Sequence, residues 1–233
     1  MKRSLLTSVS VLALTFAAAA ADLPVRRAPV VYKAPAAAPV WTWAGFYIGI
    51  NGGGIWQRAK AHVSDPPGNT GDATVNSSGG TFGGQAGFNW QYQQYVYGIE
   101  VDGNWADASG SANIVASPTF AFSSKLSSLA TVRGRVGIAM SSTMIYATGG
   151  FAAGHVNNQV PVLFGGYFNN KTRTGWTAGG GIEHIFAEHW SAKAEALYVD
   201  LGTSTVQGVF GNGYVGRFTN TAVVGRIGLN YKW

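Results

Sequence analysis

The stretch that decides the fold is the last one, Val223-Val-Gly-Arg-Ile-Gly-Leu-Asn-Tyr-Lys-Trp233. Alternate residues read back from its end give Trp233, Tyr231, Leu229, Ile227, Gly225 and Val223. The intervening set is Lys232, Asn230, Gly228, Arg226 and Val224. Successive side chains of a β-strand point to opposite faces, so this period of two predicts a strand with one apolar and one polar face. The apolar face ends in two spaced aromatics. A strand that crosses a bilayer turns such a face to lipid and keeps the polar one inside.

The same alternation recurs upstream. In 46–56, Phe46, Ile48 and Ile50 oppose Tyr47, Gly49 and Asn51. In 81–92, Phe82, Gly84, Ala86, Phe88 and Trp90 oppose Gly83, Gln85, Gly87, Asn89 and Gln91. In 95–105, Tyr97, Ile99 and Val101 oppose Gly98, Glu100, Asp102 and Asn104. In 125–138, Ala130, Val132, Gly134, Val136 and Ile138 face outward, with Thr131, Arg133, Arg135 and Gly137 inward. The fifth segment, 144–154, does not declare its faces. In 172–186, Trp176, Ala178, Gly180 and Ile182 oppose Thr177, Gly179, Gly181 and Glu183. In 190–201, Ala192, Ala194, Ala196 and Tyr198 oppose Ser191, Lys193, Glu195 and Leu197. The terminal stretch is the eighth.

Connections alternate in length. Short ones fall near Gln93-Gln94, Ser141-Ser142-Thr143 and Ala187-Glu188-His189, and long ones over 58–79, 106–124, 156–171 and 202–218. Segments of about ten residues match a bilayer crossing by tilted strands. The expectation is therefore an all-β chain: an eight-stranded antiparallel up-and-down transmembrane β-barrel with short periplasmic turns and four long extracellular loops. Two aromatic girdles fit it. Phe46, Trp90, Tyr95, Tyr97, Trp190, Tyr231 and Trp233 sit at the turn-side ends, and Trp56, Phe82, Trp105, Trp176 and Tyr198 at the loop-side ends.

A soluble sandwich or ligand-binding barrel would turn its apolar face inward. Here the other face gathers Glu100, Asp102, Arg133, Arg135, Glu183, Lys193, Glu195, Arg226 and Lys232. A dry core does not tolerate so many ionisable groups at alternating positions. An eight-stranded barrel is just wide enough for its own side chains to fill. Glu100 and Arg133 each lie five residues in from a shared turn end, and Glu183 and Lys193 three residues in from the next. Each pair should meet at one level, about 10–17 Å in at the strand rise. A lumen plugged by this charge network follows, and with it a structural and surface-interaction role in the envelope. A narrow ion or small-solute channel is the alternative, if the pairs rearrange.

Composition narrows the remaining classes. The chain has no cysteine, so neither a disulfide scaffold nor a Cys-ligated metal site is available. Only 11% charged residues beside 13% aromatic ones exclude a disordered chain. The net charge of +6 owes much to Lys2, Arg3, Arg26, Arg27 and Lys33, and the other bases are dispersed, so nucleic acid is excluded as a partner. Residues 1–21 read as a cleaved signal peptide: a basic start, a short apolar run and small residues before Asp22. Residues 22–42 read as a Pro/Ala-rich periplasmic linker, first of all a solvated spacer, with contact of its bases to peptidoglycan or anionic lipid as the alternative, and 43–233 as the barrel domain.

No catalytic, metal or cofactor-binding residue is assigned, and no enzyme is expected. The four histidines lack metal-ligand spacing. His189-Trp190-Ser191 resembles the His-x-Ser of outer-membrane lipid A deacylases, but it falls at the periplasmic rim, away from an outer-leaflet substrate.

Two resemblances complete the reading. Arg226-x-Gly228-x-x-Tyr231-x-Trp233 resembles the C-terminal signal of bacterial outer-membrane barrels, which implies recognition by the barrel-assembly machinery. Trp43-Ala-Gly-Phe-Tyr-Ile-Gly49, Leu129-Ala-Thr-Val-Arg-Gly-Arg-Val-Gly137, Gly175-Trp-Thr-Ala-Gly179 and Lys193-Ala-Glu-Ala-Leu-Tyr198 are similar to segments of the small outer membrane immunogenic proteins. These are barrels like the transmembrane domain of OmpA. The resemblance implies a monomeric outer-membrane surface protein among lipid and lipopolysaccharide, without cofactor. Some members of that family are linked to haem, and His62 and His155 are the candidates it leaves here, with no defensible haem motif around them.

Overall fold

The computed structural model describes residues 41–64, 68, 70–114, 120–160, 167–207 and 215–233. The signal peptide read over 1–21 and the linker as far as residue 40 lie outside them. Eight strands follow in order: β1 (Gly45–Ser64), β2 (Thr70–Tyr92), β3 (Tyr95–Ile114), β4 (Phe120–Met140), β5 (Thr143–Val160), β6 (Tyr167–Ala187), β7 (Trp190–Gln207) and β8 (Val215–Lys232). Each pairs antiparallel with its chain neighbours, and β1 closes on β8. Closure leaves no strand edge whose N–H and C=O groups would face hydrocarbon unpaired.

The short turns are two residues long, fixed by the pairs Tyr92↔Tyr95, Met140↔Thr143 and Ala187↔Trp190. Gln93 and Ser141 open two of them at φ of 54° and 58°, the left-handed backbone that tight hairpins demand at this position. The long-connection end differs from expectation. Strands run for 18 to 23 residues rather than about ten, so much of each expected loop is paired β-structure. Arg58 pairs with Asn76 and Ser64 with Thr70, inside the loop read over 58–79. The ladder likewise continues to Ile114↔Phe120, Val160↔Tyr167 and Gln207↔Val215. Twenty residues at about 3.4 Å and a tilt near 40° rise about 50 Å, well beyond the roughly 30 Å hydrocarbon core. Above the bilayer both faces can be wet, so the alternation that betrays a crossing strand fades while the ladder persists.

Facing follows the alternation. The fifth strand now declares itself: Met144, Tyr146, Thr148 and Ala152 are buried, and Ile145 and Phe151 are exposed. Both aromatic rows point outward. At the turn side, Trp190 and Trp233 meet Tyr231 edge-on at 5.2 and 5.1 Å; at the loop side, Trp176 lies 5.5 Å from Tyr198.

The interior is layered. At the periplasmic mouth Trp43, Val96, Met144, Tyr146 and Ile185 form an apolar cluster. Trp43 precedes β1, yet it is fully enclosed; its backbone N–H donates to Gln91 Oε1 at 2.6 Å and its indole to the Ser141 carbonyl at 3.3 Å. Charged groups fill the middle. Above them Ile55, Leu126, Leu129, Leu197, Val199, Leu201 and Val224 make a second apolar layer. A charge plug was expected inside, with only scattered apolar residues such as Leu197 and Val224 on the inward set, and their gathering into two layers is the new finding. The second layer was hidden because Ile55, Leu126, Leu129, Val199 and Leu201 lie toward the loop-side ends, where the alternation was not read. The first was hidden because Trp43 lies before the first strand.

Candidate functional site

The charged middle layer is built by register. Glu100 on β3 stands opposite Arg133 on β4, and Glu183 on β6 opposite Lys193 on β7. Glu195 on β7 stands opposite Arg226 on β8. The alternation that points Ile99, Val132, Ile182, Ala194 and Ile227 at lipid therefore points all these charges inward.

Arg133 is the hub. Its guanidinium ion-pairs with Glu100, with Asp102 at 3.1 Å and with Glu195 at 3.0 Å, and its Nε donates to Thr131 at 2.9 Å. Arg226 adds Asp102 at 2.9 Å and Glu195 at 2.7 Å. Lys193 donates to both oxygens of Glu100, at 2.9 and 2.8 Å. Arg135 reaches Glu183 at 2.6 Å and lies over the Tyr146 ring at 4.2 Å. The two interior tyrosines serve as donors, Tyr47 to Glu100 at 2.8 Å and Tyr146 to Glu195 at 2.9 Å. Acids Glu100, Asp102, Glu183 and Glu195 thus face bases Arg133, Arg135, Lys193 and Arg226 in one neutral, hydrogen-bonded cluster. Such pairing and bonding are what buried charges require.

Two expectations change in detail. Glu183 and Lys193 share a level, but Glu183 bonds Arg135, Ser191 at 2.6 Å and Asn230 at 2.8 Å, while Lys193 crosses the lumen to Glu100. Lys232 lies outside the cluster. It donates to the Thr42 carbonyl at 2.6 Å and sits 5.5 Å from the Trp43 ring, so it fastens the periplasmic mouth.

The C-terminal motif divides between the two faces. Arg226 enters the charge cluster, Gly228 leaves room beneath Lys193 and Gln85, and Tyr231 and Trp233 stay on the outer aromatic row. Sequence reasoning missed Tyr47, Tyr146 and Ser191 as members of the cluster; Tyr47 and Ser191 sit at inward positions that the alternation gave, whereas Tyr146 lies on the strand whose faces the sequence left open.

Other candidates do not converge. Ser191 is buried against Glu183, whereas His189 stacks on Tyr231 at 5.6 Å. His62 on β1 contacts Asp72 at 2.6 Å, and His155 on β5 contacts Thr172 at 3.3 Å, four strands apart around the barrel. Among the described residues no group of three or more His, Asp or Glu side chains is placed to hold a metal ion.

Fold and interior together define a transmembrane β-barrel with a lipid-facing apolar surface and a charged inside. The chain matches the model of the family described as "Outer membrane protein beta-barrel domain" over residues 8–225, and it belongs to that family. It is 35% identical over 247 residues to the 31 kDa outer-membrane immunogenic protein of Brucella melitensis, covering the whole of both chains. It is 33% identical over 181 residues to the 22 kDa outer membrane protein of Rhizobium leguminosarum, covering 76% of this chain and 74% of that one. The fold is similar to the crystal structure of the outer membrane protein OprG from Pseudomonas aeruginosa, with a TM-score of 0.54 at 12% identity over 82% of this chain and 97% of that one. The outer membrane is its location.

Proposed function

We propose that this barrel is a closed structural and surface-presenting element of the outer membrane, neither a channel nor an enzyme. The observation that carries the proposal is Arg133, tied to acids from β3 and β7 across the lumen and fully enclosed. Charges that span an eight-stranded interior leave little free cross-section. The apolar layers above and below the charges add hydrocarbon to any ion's route, where a bare charge is costly. His189 and Ser191 are turned to different partners, which supports the non-catalytic reading.

The test is single-channel recording in planar bilayers, with wild type and Arg133→Ala side by side. Silence from wild type and openings from the variant are expected. Steady openings from wild type would establish a narrow channel instead.

A further inference from the structure

One sector of the outer wall is built differently from the rest. On the seam between β8 and β1, Tyr198, Val223 and Trp56 form a row, since Trp56 and Tyr198 both pair with Val223. Directly above that row on the same outward face of β1 stand Arg58 and then Lys60, with Arg217 beyond them on β8 opposite His62. Asn76, Ser78, Thr219 and Thr221 complete the lining of a concavity of about 670 Å³. Arg58 is steadied by Asn76, whose side-chain oxygen accepts from its Nε at 3.3 Å.

Height above the aromatic row gives these cations their meaning. Aromatic girdles mark the boundary between hydrocarbon and headgroups. Two residues of strand rise about 7 Å along the chain and about 5 Å along the membrane normal. Arg58 therefore sits about 5 Å and Lys60 about 10 Å above the boundary, where the headgroup layer is roughly 5–8 Å thick and long basic side chains reach a few ångströms further.

The charges are also unspent. Among the described residues Arg58, Lys60 and Arg217 form no ion pair. The outward base on the far side, Lys125, is neutralised by Asp107 at 2.9 Å. Among the described residues the acids on the strands beside the seam are engaged: Asp72 with His62 at 2.6 Å, and Asp200 with the Gly202 N–H at 2.8 Å. A one-sided cationic step over an aromatic row, with hydroxyl and amide groups beside it, complements an anionic headgroup whose acyl chains lie against Trp56, Tyr198 and Val223.

We infer that the β8–β1 seam is a binding site for a phosphorylated glycolipid of the outer leaflet, with Arg58 and Lys60 clasping a phosphate of the lipopolysaccharide lipid anchor. Arginine matches phosphate oxygens in a two-pronged geometry, and lysine adds a point charge. The inference is independent of whether the lumen conducts.

The experiment is native mass spectrometry of the full-length barrel in detergent, titrated with bisphosphorylated lipid A, dephosphorylated lipid A or inorganic phosphate as competitor. Folding of every variant is checked by its heat-sensitive gel mobility. Wild type should take up one bisphosphorylated lipid A, and Arg58→Gln/Lys60→Gln should bind it about tenfold more weakly or worse, as loss of two charge-assisted bonds requires. Lys60→Gln alone should fall between them, and Lys125→Gln should match wild type. Equal binding by the double variant, equal affinity for the dephosphorylated lipid, or displacement by equimolar inorganic phosphate would each overturn the site.

Discussion

At the scale of single residues, the contrast between Arg133 and Lys125 separates two kinds of ion pair. Arg133 is enclosed and serves three carboxylates, whereas Lys125 and Asp107 are exposed on the outer wall. Truncating the enclosed partner strands charge away from water, so Arg133→Ala should lower unfolding stability by about 3–5 kcal/mol. Lys125→Ala should change it by less than about 1 kcal/mol, because a solvated pair contributes little. Urea unfolding of both variants in lipid vesicles measures the difference, and equal losses would mean that water fills the lumen around Arg133. The level of each charge was legible in the sequence, since strand position fixes depth. The choice of partner was not: Lys193 prefers Glu100 across the lumen to Glu183 beside it. Long side chains in a narrow barrel reach several strands, and one-dimensional spacing holds no record of that reach.

At the scale of elements, the residues before β1 act as a stopper. Trp43 packs among Val96, Met144, Tyr146 and Ile185 and is held by hydrogen bonds to Gln91 and Ser141. Trp43→Ala should cost about 3–5 kcal/mol, the usual range for a buried tryptophan. The same vesicle unfolding assay reads it, and a loss below about 1 kcal/mol would show the segment to be only loosely seated. Glycine placement serves the layer above. A Cβ at Gly181 would lie 2.8 Å from Tyr146 Oη, so the bare backbone is what lets that tyrosine lie flat and reach Glu195. The bilayer-crossing half of each strand was legible because lipid enforces alternation. The stopper was not, because a short segment before the first strand has no period to read.

At the scale of the whole molecule, the described strands carry the ladder well past the outer aromatic row. The bonds after Arg58 and Lys60 lie in this continuation, each residue paired on both sides. Trypsin should therefore leave them intact in the folded barrel and cut them promptly after boiling, with peptide mass mapping as the readout. Rapid cutting in the folded barrel would restore the open loop expected from the polar composition of 58–79. The topology, the crossing faces of every strand but the fifth and the charged interior were all present in the sequence as a period of two. The height of the wall was not, because polar residues in a strand and in a loop look alike once neither face must meet lipid.

The closing strand has one more consequence. Arg226 arrives with β8, the last of the eight described strands, and it supplies a cationic partner to Asp102 and Glu195. A copy cut short before β8 holds two carboxylates with part of their compensation missing and two open sheet edges in hydrocarbon. Closure is thus inspected by the physics of the bilayer itself: a barrel without β8 carries its own mark for rejection, and only the closing strand erases it.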